Sequence, residues 1–235
     1  MSKIVALVRS ESGIATEADR AAAWPLIEQT ARTAAADRAA LTGLVLSRVV
    51  KPFVDEDPTI ALVAAWGDDL DAEDLLQQLL PQQFRADAHL TVHGATCSEI
   101  VFRRVQDFAR DGSTWTIKLA GTAFRRDDFE PDAFFDYWTN VHAPIGGHLP
   151  GLGGYTVSRA LTGSLGEESA DAIIEQWYPD EQAFQDAQGT EMAQAAWNDV
   201  GNYAKTTGTA FWLLTETVII EPPTTGPGTL EAAHA

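Results

Sequence analysis

The sequence predicts an α+β protein in which two tandem ferredoxin-like βαββαβ units close into one pseudo-twofold α/β barrel. Three observations point there. The segment Leu41-Thr-Gly-Leu-Val-Leu-Ser-Arg-Val-Val lines up with Leu152-Gly-Gly-Tyr-Thr-Val-Ser-Arg-Ala-Leu, 111 positions on, and sets Ser47 and Arg48 on Ser158 and Arg159. The same register carries residues 60–66 onto 171–177, so Trp66 falls on Trp177. Finally, residues 98–102 match 215–219 once six extra residues are allowed in the second copy, in a helical connection where insertions are tolerated.

Each copy reads as strand, helix, strand, strand, helix, strand, the split βαβ order. In the first, strands fall at residues 3–8, 44–50, 60–66 and 99–105, with helices within 17–36 and near 72–80. The second begins with a strand at 115–119, then a helix over 131–141, strands at 154–161 and 172–178, helices between 180 and 203, and a strand at 211–220. The helix at 131 has clear punctuation: Glu130 precedes it, Pro131 suits its first turn, Asp132 complements the positive end of its dipole, and Pro144 is expected to stop it. These boundaries predict a first repeat at 1–105, a polar linker at 106–113, a second repeat at 114–221 and a disordered tail at 222–235 rich in Pro and Gly.

Each unit alone would leave an apolar sheet face bare, so the two sheets should pack together or close into a barrel. The last strand of each copy is expected to reach across to the other sheet.

Composition narrows the function. With 34 acidic against 16 basic residues, a net charge of −18 repels nucleic acid and anionic membranes. Cys97 is the only cysteine, so no intrachain disulfide and no Cys-based metal cluster can form, which suits a cytoplasmic setting. The first apolar run is too short for a secretory signal and reaches Arg9 at once, and no stretch approaches a membrane span. His142 and His148 lie six apart, and His89 and His93 four apart, without a carboxylate in a recognised ligand pattern, so no metal is expected. Gly151-Leu-Gly-Gly-Tyr-Thr leads into a strand and lacks the third glycine of a dinucleotide loop.

The residues that could carry chemistry sit in the second copy. Phe134, Trp138 and His142 are four apart and share one helical stripe, so an imidazole closes an aromatic row. Such a histidine can exchange protons near neutral pH, or it can merely cap the helix end and pack. Phe134, Phe135, Tyr137 and Trp138 read equally as core. Tyr155 opens the strand after the Gly-rich turn, where the first copy has Leu44, and its phenol could donate into a pocket below His142. Lys118, Arg125 and Arg126 could hold a carboxylate or phenolate, or be solvated charges at a sheet edge, and Glu175 has the same two readings.

Phe134-x-x-Tyr137-Trp138, His142-Ala-Pro144, Leu149-Pro-x-Leu152 and Tyr155 after a Lys-bearing strand resemble the signature of the EthD family, within the dimeric α/β-barrel superfamily. The likeness is specific over residues 118–177 and looser through 216, while the first copy lacks the Tyr-Trp and His-Ala-Pro motifs. It implies a cofactor-independent enzyme, of the kind associated with polyketide tailoring and ether degradation. Its substrate would be a small hydrophobic aromatic or polyketide-like metabolite, altered by cyclisation, decarboxylation, dehydration or isomerisation. The implied catalytic residues are His142 and Tyr155; Trp138, Tyr137, Phe134, Lys118, Trp177 and His148 form the expected substrate-binding set. A non-catalytic ligand-binding or accessory protein is the alternative, and haem handling, seen among relatives with this barrel, a third that is not expected. A homodimer through the helices is left open.

Overall fold

The computed structural model describes residues 2–36, 40–103, 116–166 and 168–223. The expected linker, Trp115 and residues 224–235 of the expected tail lie outside them. In the first copy β1 (Ser2–Ser10) leads to α1 (Glu17–Ala35), then β2 (Leu41–Pro52), β3 (Thr59–Gly67), α2 (Ala72–Leu79), α3 (Gln82–Asp87) and β4 (Leu90–Arg103). The second copy repeats the order with β5 (Ile117–Ala123), α4 (Pro131–Tyr137), a π-helical turn (Trp138–His142), α5 (Ala143–Gly146), β6 (Gly154–Gly163), β7 (Ala172–Tyr178), α6 (Glu181–Gln188), α7 (Glu191–Val200) and β8 (Phe211–Ile220).

The eight strands close into one barrel in the order β1-β3-β2-β8-β5-β7-β6-β4. Within each copy the last strand flanks the first, and the copies join where β8 pairs with β2 and β4 with β6. Both last strands therefore cross to the other sheet. The repeat register holds in space: Lys3 lies opposite Trp66 between β1 and β3, and Lys118 opposite Trp177 between β5 and β7.

Closure buries strands on both faces. Every residue of β3 and of β7 is buried, and the core forms three clusters, one inside the barrel and one under the helices of each copy. Val5, Leu62, Ile173 and Trp212 fill the barrel, whereas Phe134, Trp138, Tyr155 and Leu213 pack between sheet and helices in the second copy. Such two-sided burial follows from wrapping a sheet with helices.

Besides α3, which the sequence did not predict, and β5, which runs on from residue 119 to Ala123, two elements differ from the sequence reading for a structural reason. β4 begins at Leu90, well before residue 99, because it must pair with β1 over its first half and with β6 over its second. The helix from Pro131 does not stop at Pro144 but continues to Gly146. Its Trp138–His142 turn is π-helical, and the Ala143 N–H donates to the Trp138 carbonyl, five residues back. A wider turn spares the following proline both a missing donor and a ring clash, which is why Pro144 is accommodated.

Candidate active site

The helical layer of the second copy leaves a hollow of about 660 Å³, counted out through its open mouth. Leu119 and Ile174 line its sheet side, Trp138, His142 and Gly146 its helical side, and Trp197, Gln188 and Lys205 are among its other lining residues. Its walls are mostly apolar, with a few polar groups.

His142 is the chemical centre of this space. The π turn holds its ring against Trp138 (centroids 6.1 Å apart, edge-on) and Tyr203 (5.0 Å). Its Nδ1 lies 3.0 Å from Oδ2 of Asp199, on α7. Asp199 also accepts hydrogen bonds from Tyr137 Oη at 2.8 Å and from Asn202 Nδ2 at 2.9 Å. Burial pushes the Asp199 carboxyl up, but the donors Asn202, Tyr137 and His142 outweigh it and hold it below its ordinary value. For His142 burial is the larger effect and lowers the imidazole below its usual value, against the pull of Asp199.

A charged Asp199 accepts from Nδ1–H and so fixes the neutral tautomer whose Nε2 carries a lone pair. The opposite nitrogen belongs to the hollow: a methyl group built on Gly146, which lines it, would stand 3.7 Å from Nε2. A neutral imidazole, oriented by a carboxylate and open on one side, can accept a proton and stabilise the cation it becomes.

The structure gathers some of the sequence-predicted residues and separates others. His142 and Trp138 line the hollow. Phe134 is buried beneath them, its ring 5.4 Å from that of Trp138. Tyr137 reaches the site through Asp199. Tyr155, fully buried, accepts a hydrogen bond from Trp138 Nε1 at 2.6 Å and is not among the residues lining the hollow, so its phenol braces the indole. His148 is exposed and likewise stands off the lining.

Lys118 and Trp177 lie on the other face of the sheet. Lys118 Nζ is buried inside the barrel, within 2.7 Å of Ser47 Oγ, 2.9 Å of Glu175 and 2.8 Å of Glu216, and 5.5 Å from the centre of the Trp177 ring. The first copy repeats this with Lys3, Glu99 and Trp66, and the single Glu175 joins both ammoniums. Burial alone would lower both lysines, but Glu175 and each lysine's own glutamate raise them instead. In the same way burial would raise Glu175, yet Lys118 and Lys3 bring it down to about 2. This cluster is not a substrate subsite of the hollow. Arg125 and Arg126 are ion-paired with Asp171 and Asp128. Cys97 is buried in the barrel, its thiol pushed up to about 12 by burial.

Two residues of the site escaped the sequence reading, Asp199 and Tyr203. The signal for Asp199 was faint but present: Ala193, Ala196 and Asp199 are spaced by three along α7, so a carboxylate interrupts an apolar, buried stripe.

A closed eight-stranded barrel of two fused βαββαβ units, with a helix-covered hollow in one, defines a dimeric-type α/β barrel contained in a single chain. Within the second repeat, residues 126–207 match the model of the EthD domain. No curated protein sequence matches the chain. Among solved structures, an anthrone oxidase-like protein is similar with a TM-score of 0.60 at 13% identity, over 96% of this chain and 96% of its own. A candidate monooxygenase from Lactobacillus acidophilus NCFM gives 0.53 at 11% identity, covering 93% and 96% of the two chains. An EthD family protein from Bacillus halodurans C-125 aligns with 47% of this chain and 99% of its own at 24% identity, with a TM-score of 0.34.

Proposed function

We propose that this protein is a cofactor-independent acid/base enzyme acting on a small, mostly apolar, oxygenated metabolite of aromatic or polyketide-like type. The observation that carries the reading is the His142–Asp199 pair, with Nδ1 held at 3.0 Å and the other nitrogen turned to the hollow. In the step proposed, Nε2 takes a proton from a carbon or hydroxyl of the bound substrate, the electron pair stays on the substrate, and Asp199 stabilises the imidazolium. Return of that proton to another atom completes an isomerisation, and sets up a cyclisation or dehydration when a leaving group or an electrophilic carbon is in reach.

The test is proton exchange with solvent. Anthrone and 2-tetralone, two ketones with acidic C–H bonds, are incubated with the protein in D₂O under argon, and deuterium uptake is followed by NMR. Uptake above the buffer rate is expected for the native protein, with a loss on the order of 10²–10⁴-fold in His142→Ala, the usual weight of a general base.

The mostly apolar lining of the hollow also favours a second reading, a binding or accessory protein that sequesters a hydrophobic metabolite for a partner enzyme. Under that reading both probes bind, and His142→Ala changes neither binding nor the exchange rate.

A further inference from the structure

Gln176 lies on β7 between Leu119 of β5 and Tyr155 of β6, on the sheet face that looks toward the helices. It is 6% exposed and lines the hollow. Its Oε1 accepts a hydrogen bond from Tyr178 Oη at 3.1 Å, two residues along the same strand face. Burial raises the Tyr178 phenol above its ordinary value, so it stays protonated and remains a donor. With the oxygen engaged, the amide nitrogen is the end left for the hollow, and Nε2 has no hydrogen-bond partner among the described residues. The amide thus offers its two N–H groups to whatever occupies the hollow, and a ligand that carries an acceptor there gains a hydrogen bond that an apolar one does not.

We propose that Gln176 is a specificity-determining residue whose Nε2 donates to a carbonyl oxygen of the substrate, so that the substrate is a ketone with an ionisable C–H beside that carbonyl. The inference rests on the reading of His142 as the base. The sheet side of the hollow then holds the oxygen and the helical side removes the proton. As the C–H bond breaks, its proton goes to His142 Nε2 and its electron pair moves to the oxygen held by Gln176, where donors placed before the reaction count most. Tyr178 is a positioning residue: it keeps the amide from turning its own oxygen toward the carbonyl.

Equilibrium binding tests this without requiring turnover. Quenching of tryptophan fluorescence gives Kd for 2-tetralone and for tetralin, its hydrocarbon counterpart of nearly the same shape. The ratio of the tetralin Kd to the 2-tetralone Kd is expected to fall about tenfold in Gln176→Met, the weight of one good hydrogen bond, while the tetralin Kd holds. Tyr178→Phe leaves the glutamine in place but frees the amide to rotate, and is expected to lower the same ratio in a chain with no polar residue removed from the hollow. An unchanged ratio in either folded variant, or a native protein that binds neither probe, overturns the proposal. His142→Ala should keep the ratio and lose deuterium exchange. Exchange that disappears in His142→Ala beside an unchanged ratio in Gln176→Met would therefore leave the base in place and remove only the carbonyl assignment.

Discussion

Lys3 Nζ and Glu175 Oε2 meet at 2.8 Å inside the barrel, 172 positions apart in the chain. Glu175 holds Lys118 at the same time, so one carboxylate ties the first strand of each repeat to the other. Its register partner in the first repeat is Ala64, 111 positions earlier, which makes the clasp asymmetric within an otherwise repeated pair of Lys-Glu-Trp groups. Lys118→Met leaves the half-buried Glu216 without its lysine and the buried Glu175 with Lys3 alone. It is expected to cost about 3–5 kcal/mol in chemical denaturation, the scale for breaking a buried pair from one side. Glu175→Gln leaves Lys3 with Glu99 and Lys118 with Glu216, and should cost less, about 1–3 kcal/mol. Equal costs for the two variants would show that charge balance is not what holds the clasp.

The same cluster sets an acid limb of stability. The folded Glu175 carboxyl stands at about 2, below its ordinary 4.5, because Lys118 and Lys3 overcome burial. The unfolded chain therefore binds the proton more readily, and Glu175 contributes its full stability above 4.5 and loses it as pH falls toward 2. Unfolding free energies measured from pH 6 down to 2 should decline more steeply in the native protein than in Glu175→Gln, which has no proton to take up at that position.

The pH dependence of activity rests on a different pair. Only the neutral imidazole of His142 can accept a proton, and burial sets its value below 6.5. Deuterium exchange should thus fall to half its plateau rate only at a pH below 6.5. Asp199→Asn removes the group that pulls His142 upward, so the acid limb should move to still lower pH. The plateau rate should drop about 10- to 100-fold as the tautomer is less firmly held. An acid limb that moves to higher pH in Asp199→Asn would contradict this arrangement. A related sign holds for stability: protonation of His142 below 6.5 favours the unfolded chain, so its share of stability is present above that pH and is lost as pH falls through the lowered value.

Tyr155 is expected to act through packing. Its hydroxyl accepts from Trp138 Nε1 at 2.6 Å, and the Phe102 ring packs against it at a tilt, centroids 4.8 Å apart. Tyr155→Phe strands a buried indole N–H and should cost about 1–3 kcal/mol in stability. Exchange activity at saturating probe should change only a few fold, and the acid limb should stay where it is, because neither His142 nor Asp199 loses a partner. Loss of exchange as deep as in His142→Ala, in a variant that still folds, would restore Tyr155 to the chemistry.

How far the site was legible in the sequence follows from the strands and helices that carry it. The duplication was readable because register survives divergence: Ser47 with Ser158 and Trp66 with Trp177 kept one offset through two strands and the connection between them. His142 stood out because an imidazole followed an aromatic stripe at helical spacing. Lys118 was misjudged because Ile117–Ala123, with Lys118 and Thr122 on one side and Leu119 and Ala123 on the other, does not reveal which side faces the barrel interior. A barrel strand covered by helices is buried on both sides, so a period-two pattern no longer assigns its faces. Asp199 left only a faint mark, a carboxylate in the buried stripe of α7, and Gln176 none: each matters through a tertiary partner, His142 or Tyr178 and the hollow, and an isolated Asp or Gln does not name that partner.

Gly146 offers a separation of fold from function. It ends α5 in a right-handed helical environment without a positive φ, and a methyl group there would meet only Ala196 Cβ and His142 Nε2, both at 3.7 Å, an ordinary contact. Nothing in the backbone requires glycine, and replacing one in a helix by alanine reduces the freedom lost on folding. Gly146→Ala is therefore expected to raise stability by up to about 1 kcal/mol, seen as a higher melting temperature. The added methyl would also stand 3.7 Å from Nε2, and Gly146 and His142 both line the hollow, so exchange on 2-tetralone should slow while the tetralin Kd changes little. A bulkier Gly146→Leu should block both probes. If Gly146→Ala were instead destabilising, the helix would need glycine for a reason other than access to His142; if it were stabilising with exchange undiminished, the substrate would not approach Nε2 from this side.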